Sequence, residues 1–415
     1  MIKREVSRAN HFLNYLITYF AIAFSGIPFF EENRVARLVF LSILILVFFF
    51  KKKIFDGKII LLAFAFSIIE IIQIFLWGGA LFSIITSISF LIILPYLILK
   101  ITGIKFLQYF YNILFVYALI SLFFWTASNF LPGFHDFTYY LAGVLKPYTP
   151  HKITESFILY TYESAQEYGF YRNPGPFHEP GAFGVFLVLA IVINFNRTRS
   201  FVNKKNIVFF IAAITTFSTA TYLSIIVLLI LTNLFIVRKR RIILILLFPI
   251  LVYLAFISYN NIDFLGSKIS QQYDEQSEVS LTTPTSGRIL GARKALVAIS
   301  NYPIFGRGLI SATQAEYSEP DAAGYGWITW ISKIGLPLGI LYMFYFYKTL
   351  KRYTLFYGRD KKFAIIAFIS LLIVLAGQKH FSSIIFFMIF LIAYISKNSS
   401  VKKYYYPRLT AWTIE

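Results

Sequence analysis

The chain has 415 residues, of which 58% are hydrophobic, 20% aromatic and only 14% charged, against the half apolar and quarter charged of a typical soluble domain. Its apolar runs approach or exceed the ~20 residues that cross a ~30 Å hydrocarbon core as a helix, whereas barrel strands would be about half as long and alternating. The composition thus excludes a soluble enzyme and predicts an all-α polytopic membrane protein. Cysteine is absent, which removes disulfides, thiolate nucleophiles and Cys-based metal sites. The formal net charge of +20 invites a nucleic-acid partner, but its distribution along the chain gives it another use.

The first apolar run, about Phe12 to Phe30, follows a basic start with no small-residue cleavage site after it, so it reads as a retained span. Further spans are predicted at about 35–50, 58–77, 80–99, 104–131, 181–195, 207–219, 221–237, 242–259, 326–347, 362–377 and 381–396, twelve in all with both termini on one side. The connections holding Lys51 to Lys53, Lys100 and Lys105, Arg197 to Lys205, Arg238 to Arg241 and Lys348 to Lys362 then share that side, with the basic tail. By the positive-inside rule this face is cytoplasmic. The charge orients the chain and draws it to anionic membrane lipid, and no nucleic acid is needed.

Residues 207–237 are continuously apolar and could form one long tilted helix. A single pass, however, would put Arg238 to Arg241 outside and the acids from Asp263 to Asp321 inside, so two spans are predicted, with a turn or broken segment at Ser218 to Ser224. Two outer connections are long, 132–180 and 260–325, and loops of that length are usually functional or disordered. In the second, Ile289, Ala292, Leu296 and Ile299 recur at helical spacing, which predicts an amphipathic helix over 286–301, capped by Thr285 or Ser286 and stopped before Pro303. The chain reads as a single integral-membrane domain, 1–415.

Chemistry-bearing charge concentrates in the outer loops. Within the spans, Glu70 and Lys333 stand out, yet Glu70 can be protonated or bonded to Gln73, and Lys333 can snorkel. The stretch Arg172-Asn-Pro-Gly-Pro-Phe-His178-Glu179-Pro-Gly-Ala-Phe-Gly184 sets a cation, an imidazole and a carboxylate on backbone that Pro stiffens and Gly opens to close approach. Outward arginines above an apolar bundle suit a lipid-linked diphosphate, whose tail lies among helices while guanidinium forks hold the phosphates. Arg172 and Arg288 are the favoured pair, each beside Gly or Pro. Arg293, Lys294 and Arg307 serve equally well as partners for the loops' own acids. Glu179 can act as a general base, with His178 its rival, or merely favour the helix that follows through the macrodipole. A metal centre from His135, Asp136, His151, His178 and Glu179 matches no ligand spacing with a mechanism behind it.

These residues resemble Wzy-type O-antigen and capsular polysaccharide polymerases, in which an Arg…Gly-Phe-x-Glu-Pro stretch enters a central span. Ser286-Gly-Arg288 followed by Tyr302-Pro-Ile-Phe-Gly306-Arg307-Gly308, and then Trp330 to Gly339, are similar to the second-loop signature and closing helix of the wider polymerase and O-antigen ligase superfamily. The resemblance implies a metal-independent glycosyltransferase with no cofactor and no nucleotide sugar. It would move a growing glycan from undecaprenyl diphosphate onto a new lipid-linked repeat, on the outer face of the bacterial cytoplasmic membrane, for lipopolysaccharide or capsule. Arg172 and Arg288 would bind the diphosphate, Glu179 or His178 would take the acceptor proton, Arg293 and Arg307 would contact substrate, and Gly306 and Gly308 would shape the loop. A chain-length regulator and a flippase are the partners it brings into view. Ligases of the superfamily are expected to carry a His where this chain has Gly324, which points to polymerase over ligase. A lipid-linked oligosaccharide flippase would share the span count but keep charge along a central path and its loops short.

Overall fold

The computed structural model describes residues 8–31, 33–78, 80–144, 154–163, 166, 169–237, 288–308 and 326–395. In chain order its helices are α1 (Arg8–Ala23), α2 (Pro28–Glu31), α3 (Arg34–Phe50), α4 (Gly57–Trp77), α5 (Phe82–Ser87), α6 (Leu94–Thr102), α7 (Phe106–Phe130) and α8 (Phe134–Val144). A hairpin of β1 (Thr154–Ser156) and β2 (Thr161–Glu163) follows. After it come α9 (Pro180–Thr198), α10 (Lys204–Thr215), α11 (Thr219–Thr232), α12 (Arg288–Asn301), α13 (Gly326–Ile334), α14 (Leu336–Phe356), α15 (Lys361–Ala376) and α16 (Ile384–Ile395). The predicted span 242–259, His151 and most of the second outer loop lie outside the described residues.

Four described segments are long and apolar enough to cross a membrane: Gly57–Leu76, Phe82–Phe130, Pro180–Thr198 and Thr219–Ile236. The second is two helices in sequence, because Gly103 at φ 63°, ψ −160° closes α6. Inside it a π-helical turn, Ile88–Ile93, joins α5 to α6 just before Pro95. Proline has no N–H to continue the ladder, and the wider turn absorbs that defect. α10 ends at Thr215 and Phe217 takes φ +48°, so 207–237 is two helices, broken slightly before the predicted turn. At 12 residues, α10 is too short to cross a ~30 Å core alone.

The chain forms two compact units, one of residues 1–67, 85–219 and 382–415, the other of 68–84 and 220–381. In the first, α9 is buried from Pro180 to Asn196 and α16 along nearly its whole length. A helix apolar on every side belongs in an interior. α9 packs on α7 and α10, while α16 packs on α1 and α6. Phe186 lies 6.2 Å from Phe386 and stacks on Phe177 at 4.4 Å. One end of this unit carries a group of basic side chains. There Lys100 pairs with Asp56 at 3.0 Å, Lys205 donates to Asn112, and Arg197 lies over the Tyr111 ring.

The described part of the first outer loop has its own small core. Ala142, Tyr160 and Tyr162 are buried together, with Phe124, Tyr139 and Phe157 packed against them. An aromatic-rich loop invites the idea of rings stacking on sugars, but Tyr160 and Tyr162 are each 1% exposed and spend their faces on this cluster. His135, on α8, stacks on Tyr171 at 3.4 Å with an interplanar angle of 7°. Burial holds the His135 imidazole below its ordinary pKa, against the opposing pull of Asp136 and a hydrogen bond to the Glu163 backbone. The unfolded chain therefore binds this proton first, and the loop loses stability as pH falls below about 6.5. Limited proteolysis of the loop is expected to quicken between pH 7.5 and 5.5, and His135→Phe is expected to flatten that dependence.

In the second unit α12 packs on α13, α13 on α14 and α15, and α14 on α15. Helix α12 runs over Arg288–Asn301, within the stretch 286–301, and its buried face is not the one the spacing suggests. The buried positions are Gly291, Ala295 and Ala298, and Leu296 is 55% exposed. Small side chains there let two backbones approach closely, as α12 does against α13. The predicted single helix 326–347 is also two, since Gly335 at φ 81° with Pro337 just behind it separates α13 from α14.

Candidate functional site

The polar stretch at 171–179 is pinned residue by residue within the first unit. The Tyr171 carbonyl accepts from Trp125 Nε1 at 2.7 Å, and its N–H donates to Asn129 Oδ1 at 2.7 Å. Arg172, half-buried, donates from Nε to the Thr216 carbonyl at 3.2 Å. Asn173 is 0% exposed and joins the most elements. Its Nδ2 donates to Thr215 Oγ1 at 2.8 Å and Ser121 Oγ at 3.2 Å, its Oδ1 accepts from Gly175 N, and its backbone N–H donates to the Thr215 carbonyl. Each bond adds about 1 kcal/mol net, and a buried amide left unpaired costs more. Gly175 sits at φ +56°, where a Cβ would meet the Phe183 ring at 2.8 Å, so the turn admits no larger residue.

His178 follows this anchored turn, with its N–H on the Gly26 carbonyl at 3.2 Å. Its Nδ1 lies 3.5 Å from Glu31 Oε2 and its Nε2 3.6 Å from Glu179 Oε1. These separations are too long for hydrogen bonds and suit electrostatic pairing. Glu31 ends α2, and Arg37 fixes that turn by donating to the carbonyls of Glu31 and Phe24. Glu179 holds the N-cap position of α9 with extended backbone, yet its side chain makes no cap hydrogen bond. The carboxylate is thus not consumed in starting the helix. Its side chain is 39% exposed, against 21% for Glu31 and 23% for His178. The arrangement is an imidazole between two carboxylates, able to hold and move a proton.

Glu31, Arg37 and Asn173 are absent from the residues singled out by sequence. For Glu31 a signal existed, because the connection between the first two spans lies on the same predicted face as His178. His135 is taken up by Tyr171, and among the described residues no three His, Asp or Glu side chains gather as a metal site.

In the second unit the loop Tyr302 to Gly308 runs against the end of α13. Arg307 N–H donates to the Ser332 carbonyl at 2.8 Å, Gly308 N–H to Lys333 at 3.2 Å, and Leu336 N–H to Pro303 at 2.8 Å. Gly306 (φ +69°) and Gly335 (φ +81°) face each other so closely that a Cβ on Gly306 would meet Gly335 N at 2.5 Å. Both hydrogens of the Gln73 amide go to carbonyls here, those of Phe305 and Lys333, so Gln73 donates into this junction rather than to Glu70. Arg307 is half-buried and Arg293 exposed on α12. Arg288 begins α12, and its side chain lies outside the described residues.

A protein-family model described as O-antigen ligase matches residues 206–343. The match spans Arg288, Arg293 and the Gly306 to Gly308 loop, and ends within α14. No curated protein and no solved structure matches the chain. Together with the apolar helical build, the family match supports the chain's membership of the O-antigen polymerase/ligase superfamily of membrane proteins.

Proposed function

We propose that the protein is a polysaccharide polymerase that joins undecaprenyl-diphosphate-linked repeat units on the outer face of the cytoplasmic membrane. The O-antigen ligase family match over the stretch containing Arg288 and the Gly306 to Gly308 loop supports the shared glycosyl-transfer chemistry, and Gly324, where ligases are expected to carry a His, favours the polymerase. In this reading the acceptor hydroxyl oxygen attacks the anomeric carbon of the growing glycan. The bond from that carbon to the diphosphate oxygen breaks, and undecaprenyl diphosphate leaves with the electron pair. The acceptor proton passes to Glu179, the more exposed carboxylate, which becomes neutral, and His178 between Glu31 and Glu179 is placed to take that proton on as the carboxylate is restored. Arg172, held by Thr216, and Arg288, carried over from the resemblance, offset the charge developing on the leaving diphosphate.

An O-antigen ligase is the second reading, favoured by the description of the matching family. It uses the same donor but a different acceptor, and Gly324 in place of the ligase histidine argues against it. Replacing Arg172 or Arg288 by Ala in the source cell separates these readings. The polymerase reading expects the ladder of glycan lengths to vanish, with a single-repeat product retained and expression normal. A normal ladder with both arginines replaced sinks it, and polymer that accumulates on its lipid carrier points to the ligase.

A further inference from the structure

At the basic end of the first unit lies a cavity of about 490 Å³ that none of the proposed chemistry uses. Its lining includes Lys51, Lys53 and Lys105, with Asn14, Thr102 and Tyr109. Among the described residues no carboxylate pairs with any of the three lysines. The acid nearest in sequence, Asp56, is already taken by Lys100. Burial and the charge of Lys53 both push the Lys51 ammonium down from its ordinary pKa, the mark of cations crowded without a counter-ion. Asn14 is 7% exposed and its Oδ1 has no hydrogen-bond partner among the described residues. A buried acceptor left so costs stability unless a donor arrives.

We propose that this cavity binds the phosphate of an anionic membrane lipid, with the three lysines on the phosphate. A membrane source is favoured over a soluble phosphate because the cavity's lysines interrupt exposed apolar residues. Phe50 is 84% exposed and Ile54 83%, surface suited to acyl chains. This face is the one that the distribution of basic residues sets in the cytoplasm, where anionic headgroups attract lysine.

The test follows thermal unfolding of the full chain in detergent micelles, titrated separately with phosphatidylglycerol, phosphatidylcholine and inorganic phosphate. Phosphatidylglycerol is expected to raise the melting temperature and phosphatidylcholine to leave it unchanged. In the triple variant Lys51→Gln, Lys53→Gln, Lys105→Gln the apparent affinity for phosphatidylglycerol is expected to fall roughly a hundredfold. The matching triple Arg variant, which keeps the charge, is expected to retain the response and guards against a folding defect. A response to phosphatidylcholine equal to that for phosphatidylglycerol, or one unchanged by the Gln substitutions, overturns the site. Equal stabilisation by inorganic phosphate overturns the lipid assignment.

Discussion

Glu179→Gln is expected to lower turnover at least about 100-fold, the usual contribution of a positioned general base, while protein level and folding stay near normal. The separation of these effects follows from the structure. Glu179 supplies the N-cap of α9 through its backbone, whose carbonyl accepts from Ala182 and Phe183, and its side chain makes no cap hydrogen bond. Glutamine keeps the shape and the backbone but cannot accept the proton. Glu31→Gln is expected to cost less and to shift the pH–rate profile instead, because Glu31 lies against the far nitrogen of His178 and acts through it. Measuring both variants across pH 5 to 9 distinguishes the roles. Equal, pH-independent losses would show a merely structural pair.

Gly335→Ala is expected to be among the most destabilising single changes in the chain. The residue sits at φ +81°, and an added Cβ would run into the Ile304 carbonyl and approach Gly306 N to 3.0 Å. All of those atoms are backbone, held by hydrogen bonds from Gly306, Arg307, Gly308 and Leu336, so no side chain can swing aside. Left-handed strain and a forced backbone shift together cost roughly 2–5 kcal/mol. Melting temperature and membrane yield of the variant check this. Gly103→Ala is the comparison, since its φ is +63° but nothing lies within 4 Å of a Cβ there. Strain alone should cost about 1 kcal/mol. If the two variants melt alike, close approach at Gly335 is not what the glycine serves.

Much of the helical layout was legible because hydropathy and the spacing of lysine and arginine are local signals. A break in 207–237, for instance, was expected from the charge at Arg238 to Arg241, and one falls at Phe217. The break at Gly335 was missed although Gly335 and Pro337 are local breaker signals, because the apolar residues on either side of them read as one span. The buried face of α12 was misassigned for a related reason. Periodicity ranks side chains by hydrophobicity, whereas Gly291, Ala295 and Ala298 are buried for being small. In the site, His178 and Glu179 stand side by side in sequence and were legible together. Asn173 was not, because its partners lie 52 and 42 positions away at Ser121 and Thr215, and Glu31, 147 positions from His178, was marked only by the predicted face the two share.

The most direct test of the proposed glycosyl transfer is reconstitution of the purified protein in lipid nanodiscs with a lipid-diphosphate-linked repeat unit from the source cell and no nucleotide sugar. Mass spectrometry of the products is expected to show dimers and longer chains on the carrier, with one undecaprenyl diphosphate released per new linkage, and none of either with Arg172→Ala. Repeat units recovered unextended, by a protein that is folded and supplied with both donor and acceptor, would contradict polymerisation.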